Sequence, residues 1–466
     1  MAKNAPKAIT KFKTKPGFQW TREMASKIKQ TDATTFPPFD NGKVKVLMPG
    51  YHAWDNWYVM DEEGNVANVL GYTVIIALVR PVNDPEAANA RIAYFYSEDG
   101  IHYEAGGFLF EEKMYADCQE WSGSTILRKD GKIQTFYTVA KGLEAYGNWQ
   151  TFQRFATAIQ EVALFSRKSA AELEGVEAPE VDGLVMQKPL YHSLLKEPDG
   201  ELYETAAQAA YREAFMPTAH RRDVGSDQTE NTCFRDPHFF KDPATGKCYL
   251  IFEGNTGPAV NAAGTVVRDY VGSESFEPNY QPTIDDLKAN GCVGIIELMN
   301  DEYTYGEFHA PWLCANLVTD EIERINVVVH QGHYYLMVVG HGNKNTLVSK
   351  DKSLDNLDYL LGFRADKLGG ALTPLNGSGV MISQKSGGAT YGGQETNGQY
   401  VYSWSLVPST TVKGQFDCIS YANFGCDVDG VIKAIKTAGP TLTMKIDGLE
   451  SHITGMKFNI LPAVAK

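Results

Sequence analysis

The sequence lacks an apolar run long enough to cross a membrane. Its most apolar stretch, Val69–Val79 (VLGYTVIIALV), falls short of the roughly 18 residues a span needs. It lacks a cationic excess too: 43 Lys+Arg stand against 57 Asp+Glu, a net charge of −14. Nucleic acid and anionic membrane are therefore excluded as general partners, since both call for clustered positive charge. The opening MAKNAPKAITKFKTKPGF is basic but has no apolar central region. No classical signal peptide is read there, and a soluble protein is expected, cytoplasmic or exported by a signal-independent route. The 7 cysteines (Cys118, Cys233, Cys248, Cys292, Cys314, Cys418, Cys426) are odd in number and show no CxxC spacing. That speaks against a zinc site or a disulfide framework and for buried thiols; Cys418 and Cys426 are the pair that an oxidising compartment would join.

Helical signals are scarce. Trp20–Gln30 reads as a short amphipathic helix closed by Pro37–Pro38, and Glu201–Phe215 sets Tyr203, Ala207, Ala210 and Tyr211 on one helical stripe. What the sequence has in quantity is turn chemistry between short strands, with 43 Gly and 11% aromatic residues. Arg91–Tyr96 and Ile101–Phe110 flank Ser97-Glu98-Asp99-Gly100. Thr125–Arg128 and Lys132–Tyr137 flank Lys129-Asp130-Gly131, and Phe239–Phe240 and Cys248–Phe252 flank KDPATGK. Asn326–Val329 and Tyr334–Val339 flank His330-Gln331-Gly332-His333. Each is a hairpin by its alternating runs and glycine turn. No helical crossover recurs between them, so an all-β sandwich, barrel or propeller is expected in place of a parallel α/β sheet. Met186–Asn231 and Gly257–Asn290 read as long insertions, which in compact domains are more often functional than idle.

Four polar-aromatic clusters, each with an acid, precede hairpins: Trp54-Asp55-Asn56-Trp57, Glu120-Trp121-Ser122-Gly123-Ser124, Arg235-Asp236-Pro237-His238 and Asp320-Glu321-Ile322-Glu323-Arg324. At strand starts they would direct carboxylates and rings into a shared cavity. Carboxylates accept bonds from sugar hydroxyls, aromatic faces pack on ring C–H groups, and glycoside hydrolysis needs one protonated and one ionised carboxyl. Each cluster also has a plain structural reading. An Asp at a strand end commonly caps a turn, a Trp commonly fills a core, and Arg235-Asp236 is compatible with a structural ion pair. Glu323-Arg324 is compatible with an exposed strand end, and His52 and His238 with locally satisfied imidazoles.

Taken together and in order, WDNW, EWSGS, FRDPH and TDEIERINVV resemble the motifs of bacterial levansucrases and inulosucrases, glycoside hydrolase family 68. The resemblance runs from about Trp20, in WTR, to the C-terminal strands. It implies a five-bladed β-propeller with a central funnel and a few short helices: residues 1–45 as an N-terminal arm, 46–466 as one catalytic domain. It implies sucrose cleavage by a retaining fructosyltransferase, with transfer to fructan or oligosaccharide acceptors or to water. Matched motif by motif, Asp55 resembles the nucleophile, Glu323 the acid/base and Asp236 the transition-state stabiliser. Trp54, Trp121, Ser122 and Arg235 resemble the wall of the fructosyl pocket; Glu321 and Tyr402, in VYSWSLVP, resemble residues beside the glucosyl unit and the acid/base. On those roles Asp55 should stay ionised, accepting hydrogen bonds and avoiding apolar burial. Glu323 should hold its proton, aided by Glu321, with Arg324 pointing elsewhere or toward Glu321.

Two departures from the family pattern stand out. Tyr58 follows Trp57 where a Pro is common, and Gly340-His341-Gly342 lies where many levansucrases carry an Arg that contacts the glucosyl or acceptor sugar. An imidazole is shorter and usually neutral, which leaves product length and linkage open but not sucrose cleavage. No cofactor is expected; a structural calcium, as some members bind, would have Asp320 as a ligand. The alternatives are a β-fructofuranosidase that mainly hydrolyses sucrose and a non-catalytic sugar-binding propeller. Retention of Asp55, Asp236 and Glu323 argues against the second.

Overall fold

Runs rich in Val, Ile, Tyr and Phe, cut by glycine turns, build strands that pair with their sequence neighbours. The computed structural model describes residues 16–84, 90–142, 151–166, 182–209, 233–257, 267–385, 399–409 and 412–462. Within them the chain is all-β with a few short helices, arranged as successive antiparallel meanders. The first runs Tyr51–Asp61, Thr73–Pro81, Arg91–Ser97, Glu104–Phe108. The second runs Gln119–Leu127, Ile133–Gly142, Thr151–Gln160, Tyr191–Lys196. The third is Phe234–Lys241, Cys248–Asn255, Gly291–Leu298, Gly306–Cys314. Next come Glu323–His330, His333–His341, Leu357–Ala365, Val380–Lys385. The last is Val401–Pro408, Gln415–Ala422, Thr441–Asp447, Glu450–Lys457.

The four hairpins read from the sequence are present within these meanders. The leading strand of each meander touches that of the next, and the last touches the first. Between the first and second the contact includes parallel pairing of Val59–Asp61 with Thr125–Leu127. Faces of neighbouring meanders bury apolar side chains against each other: Trp312, Leu336 and Phe363 in one such layer, Trp404, Met337 and Leu442 in another. Each large side chain so buried is worth about 1.5–3 kcal/mol. All seven cysteines are free and buried, so Cys418 and Cys426 are not joined.

The N-terminal helix is shorter than the spacing suggests, spanning Arg22–Ala25. Trp20 is already committed to extended pairing through its N–H to the Cys314 carbonyl (2.8 Å). The helix therefore starts only at Thr21, whose hydroxyl caps Met24 N–H. In the other segment residues 206–209 are helical, while its stripe positions Ala210 and Tyr211 lie outside the described residues. Tyr203 precedes the helix and is buried, its hydroxyl donating to the His309 carbonyl. The two long insertions meet through Asn290 Nδ2, which donates to Glu204 Oε2 at 2.9 Å. Among the described residues no helix is long and apolar enough to cross a membrane.

Candidate functional site

Three of the four polar clusters lie on the strands and not before them; in the fourth, Asp320, Glu321 and Ile322 precede the strand as expected. Trp54 and Asp55 are inside Tyr51–Asp61, Trp121 and Ser122 inside Gln119–Leu127, Arg235 and Asp236 inside Phe234–Lys241. Glu323 opens Glu323–His330, and Tyr402 lies in Val401–Pro408. All are leading strands, one from each of the five meanders, so these residues come from strands that touch in succession. Every one of them slips register at its site residues: between Trp54 and Asn56, Trp121 and Gly123, Arg235 and His238, Glu323 and Asn326, and Tyr402 and Ser405. A bulge frees a residue from the ladder and re-aims its side chain, here toward the common centre. Three of the bulges place a non-glycine residue in left-handed backbone: Asp236 (φ 57°), Arg324 (φ 50°) and Ser403 (φ 63°). Such strain costs about 1–3 kcal/mol per residue and persists only where the surroundings impose it.

For Asp236 those surroundings are visible. Its N–H donates to Thr138 Oγ1 at 3.0 Å. Its carboxylate accepts Ser122 Oγ–H at 2.5 Å and the Arg324 N–H at 3.1 Å. Arg235 turns its guanidinium to three glutamates. It reaches Glu253 at 2.6 Å, Glu323 at 2.9 Å and Glu321 at 4.0 Å. Glu253 is buried and also accepts the Ile322 N–H; burial pushes its carboxyl up, while Arg235 draws it down.

Asp55 departs from expectation. Burial pushes it up to about 6, with Asp236 and Glu323 adding to the rise; Arg324 and the Ser403 hydroxyl draw it down. It is thus ionised at neutral pH because a cation and a hydroxyl offset its desolvation, not because burial is avoided. The Arg324 side chain does not turn to Glu321. Its Nη2 donates to the Asn56 carbonyl at 2.9 Å and its guanidinium lies 5.6 Å from the Trp57 ring centroid, on the Asp55 side. The cations opposing a raised pKa at Glu323 are therefore Arg235 and, after it, His341. Burial, then Glu321, raise the Glu323 carboxyl, against Arg235, His341 and the Tyr402 hydroxyl, which donates to Glu323 Oε2 at 2.6 Å.

His341 is also unlike the sequence reading. Asp358, 2.7 Å from Nδ1, together with Glu321 and Glu323 outweighs burial and raises its pKa to about 10, so the imidazole is a cation. Trp54 and Trp121 are half-buried, and Trp121 Nε1–H donates to Gln119 Oε1 at 2.6 Å. His52 and His238 take their structural reading: burial lowers both to about 4. Glu120, the acid of the second cluster, turns away to Arg91 (3.2 Å) and Ile92 N–H.

Glu321, Glu323 and His341 bring metal-ligand atoms within 4.8 Å of one another. Calcium takes oxygen ligands, and here one of the three donors is an imidazole while Arg235 already holds Glu323 at 2.9 Å, so this donor set does not fit that ion. Asp320 is outside this group; it is buried, and its carbonyl accepts from Asn255 Nδ2 at 3.3 Å. The residues that sequence reasoning missed are Glu253, Ser403, Asp358 and Tyr400; Arg324 was singled out there, but not its place beside Asp55. Only Glu253 carries a local signal, as the one charge in the apolar strand CYLIFEGN.

The pattern that describes the levansucrase/invertase family, glycoside hydrolase family 68, matches residues 9–458. A levansucrase of Bacillus subtilis (strain 168) is 32% identical over 374 residues, covering 74% of this chain and 70% of that protein. Among solved structures, Bacillus subtilis levansucrase superposes with a TM-score of 0.76 at 26% identity, over 95% of this chain and 96% of that one. An inulosucrase from Halalkalicoccus jeotgali bound to kestose superposes with a TM-score of 0.70 at 28% identity, over 97% and 98%.

Proposed function

Since the chain belongs to glycoside hydrolase family 68, the levansucrase/invertase family, we propose that this site cleaves sucrose through a fructosyl ester of Asp55. The protein is a sucrose-acting fructosyltransferase; the residue roles, the acceptors and the propeller are the parts inferred. The observation that carries the roles is the convergence of three carboxylates with separate electrostatic settings. Asp55 is charged at neutral pH beside Arg324. Glu323 is pushed toward its protonated form by burial and Glu321. Asp236 is fixed by Ser122 and the Arg324 N–H.

In the first step a carboxylate oxygen of Asp55 bonds to the anomeric carbon of the fructosyl unit. The bond from that carbon to the glucosyl oxygen breaks, and Glu323 gives its proton to that oxygen, releasing glucose. Asp236 holds fructosyl hydroxyls as positive charge grows on the ring. In the second step an acceptor hydroxyl, from a fructooligosaccharide or from water, attacks the same carbon. Glu323 takes its proton and Asp55 departs as a carboxylate. Trp54 and Trp121 supply ring faces for the sugar, and Arg235 and Glu321 frame the acid/base. This chemistry runs on carboxylates and calls for no cofactor. The ring of leading strands fits one five-bladed propeller over 46–466, its funnel opening on the site, with 1–45 as an arm.

The test is incubation with concentrated sucrose, quantifying free glucose against free fructose and the linkage of any product. Glucose in excess of fructose means transfer, with β-2,6 linkage for levan and β-2,1 for inulin; equal amounts mean hydrolysis. Abolition of glucose release in Asp55→Asn and in Asp236→Asn is expected. Turnover retained in Glu323→Gln would overturn the acid/base assignment.

A further inference from the structure

Transfer to a sugar, as against water, requires a group that seats the acceptor hydroxyl beside the acid/base. His341 stands there and is fixed from several sides. Its ring lies parallel to that of Tyr402, centroids 4.1 Å apart and 5° between planes. Nδ1 is 2.7 Å from Asp358 Oδ1, and the two residues are direct cross-strand partners in the sheet. Asp358 is 1% exposed, and its other oxygen accepts the Tyr400 hydroxyl at 2.6 Å. A carboxylate bound at Nδ1 leaves Nε2 as the outward donor edge, the device by which buried carboxylates orient imidazoles elsewhere.

That edge faces Glu323 Oε2 at 4.0 Å. The gap exceeds a direct hydrogen bond. An oxygen set between them lies within reach of both, at roughly 2.8–3.0 Å from each. A hydroxyl placed there accepts from His341 Nε2–H while offering its own proton to Glu323, which is the arrangement the second step needs.

We propose that Asp358, held by Tyr400, is a positioning residue for acceptor transfer: through Nδ1 it fixes His341 so that Nε2–H is presented to an acceptor sugar hydroxyl beside Glu323. The proposal rests on the reading of Glu323 as acid/base. The charged and titratable groups facing His341 are Asp358 on Leu357–Ala365, Glu321 and Glu323 on the segment entering Glu323–His330, and the Tyr402 hydroxyl; Arg235 lies beyond Glu323. The carboxylates outweigh burial and keep the imidazole cationic to about pH 10. Removing the charge of Asp358 lets burial, which lowers the imidazole pKa, count for more.

The experiment compares the unmodified protein with Asp358→Asn, Asp358→Glu and Tyr400→Phe in concentrated sucrose from pH 5 to 9, reading released glucose and free fructose separately. The unmodified protein is expected to hold a constant ratio of transferred to hydrolysed fructose over that range. In Asp358→Asn the ratio falls at least fivefold and falls further as pH rises, because His341 loses its proton; Asp358→Glu recovers part of it. If Asp358→Asn does not fold, Tyr400→Phe carries the same test with a smaller fall. A ratio unchanged at every pH, or equal loss of hydrolysis and transfer without new pH dependence, overturns the proposal. No glucose release by the unmodified protein overturns instead the function on which it rests.

Discussion

Arg235 and Glu323 are joined at 2.9 Å, with Glu253 holding the other side of the guanidinium at 2.6 Å. A general acid so placed is under opposing pressures. Burial and the neighbouring Glu321 favour its protonated form, whereas Arg235 and the cationic His341 favour the carboxylate. A group that must give a proton in one step and take one in the next gains from such a balance, because either extreme would slow one of the two.

The balance predicts two shifts of opposite sign. The acid form of Glu323 is needed for glucose departure, so kcat/KM falls as pH rises through its pKa. Glu321→Gln removes a negative neighbour, lowers that pKa and moves the basic limb to lower pH. His341→Ala removes a positive neighbour and moves it to higher pH. The pH profile of initial glucose release in the two variants checks this; shifts in the same direction would contradict the electrostatic account.

Glu323→Gln is expected to lose about 10²–10⁴ in kcat on sucrose, the range of a general acid. A fructoside whose leaving group departs without protonation should form the ester with Asp55 at a much smaller loss. Comparing burst-phase release from such a fructoside with steady-state sucrose turnover separates the acid's role from a loss of fold.

Ser122 is tied to Asp236 at 2.5 Å. Ser122→Ala leaves a buried carboxylate oxygen without that donor, costing about 1–3 kcal/mol of stability. It also frees the Asp236 carboxylate from one of its fixed positions, so kcat should fall about tenfold or more with KM little changed. Denaturant midpoints and sucrose kinetics on the same preparation check both parts.

How much of this was legible in the sequence depends on whether a residue's partners lie within its own tetrapeptide. The hairpins were legible because each turn carries a glycine, and three of the four an Asp as well, as at Lys129-Asp130-Gly131. Asp55, Asp236 and Glu323 were legible because each sits in a compact motif. The charge of His341 was not, because Asp358 reaches it only through the register of two strands. Ser403 joins the site by a register slip that no local pattern announces, Arg324 stands in a motif that does not show its turn toward Asp55, and left-handed Asp236 precedes Pro237, a position biased toward extended backbone. The site is thus the place where local preference is overruled, as strained functional positions are expected to be.

The same overruling should be measurable as stability held back. In the unfolded chain Asp55 titrates near 3.8; in the folded protein burial raises it to about 6. A carboxyl whose folded pKa is raised destabilises the fold only where it is ionised. The penalty is absent below about pH 3.8, grows between that value and about 6, and is constant above. Asp55→Asn keeps the shape and removes the charge. At pH 7.5 the variant should be about 1–3 kcal/mol more stable than the unmodified protein, although inactive, the order expected for a shift of this size. Toward pH 3.5 the advantage should vanish. Urea midpoints at the two pH values test this, and an Asn variant less stable at pH 7.5 would show that Arg324 and Ser403 more than offset the desolvation of Asp55.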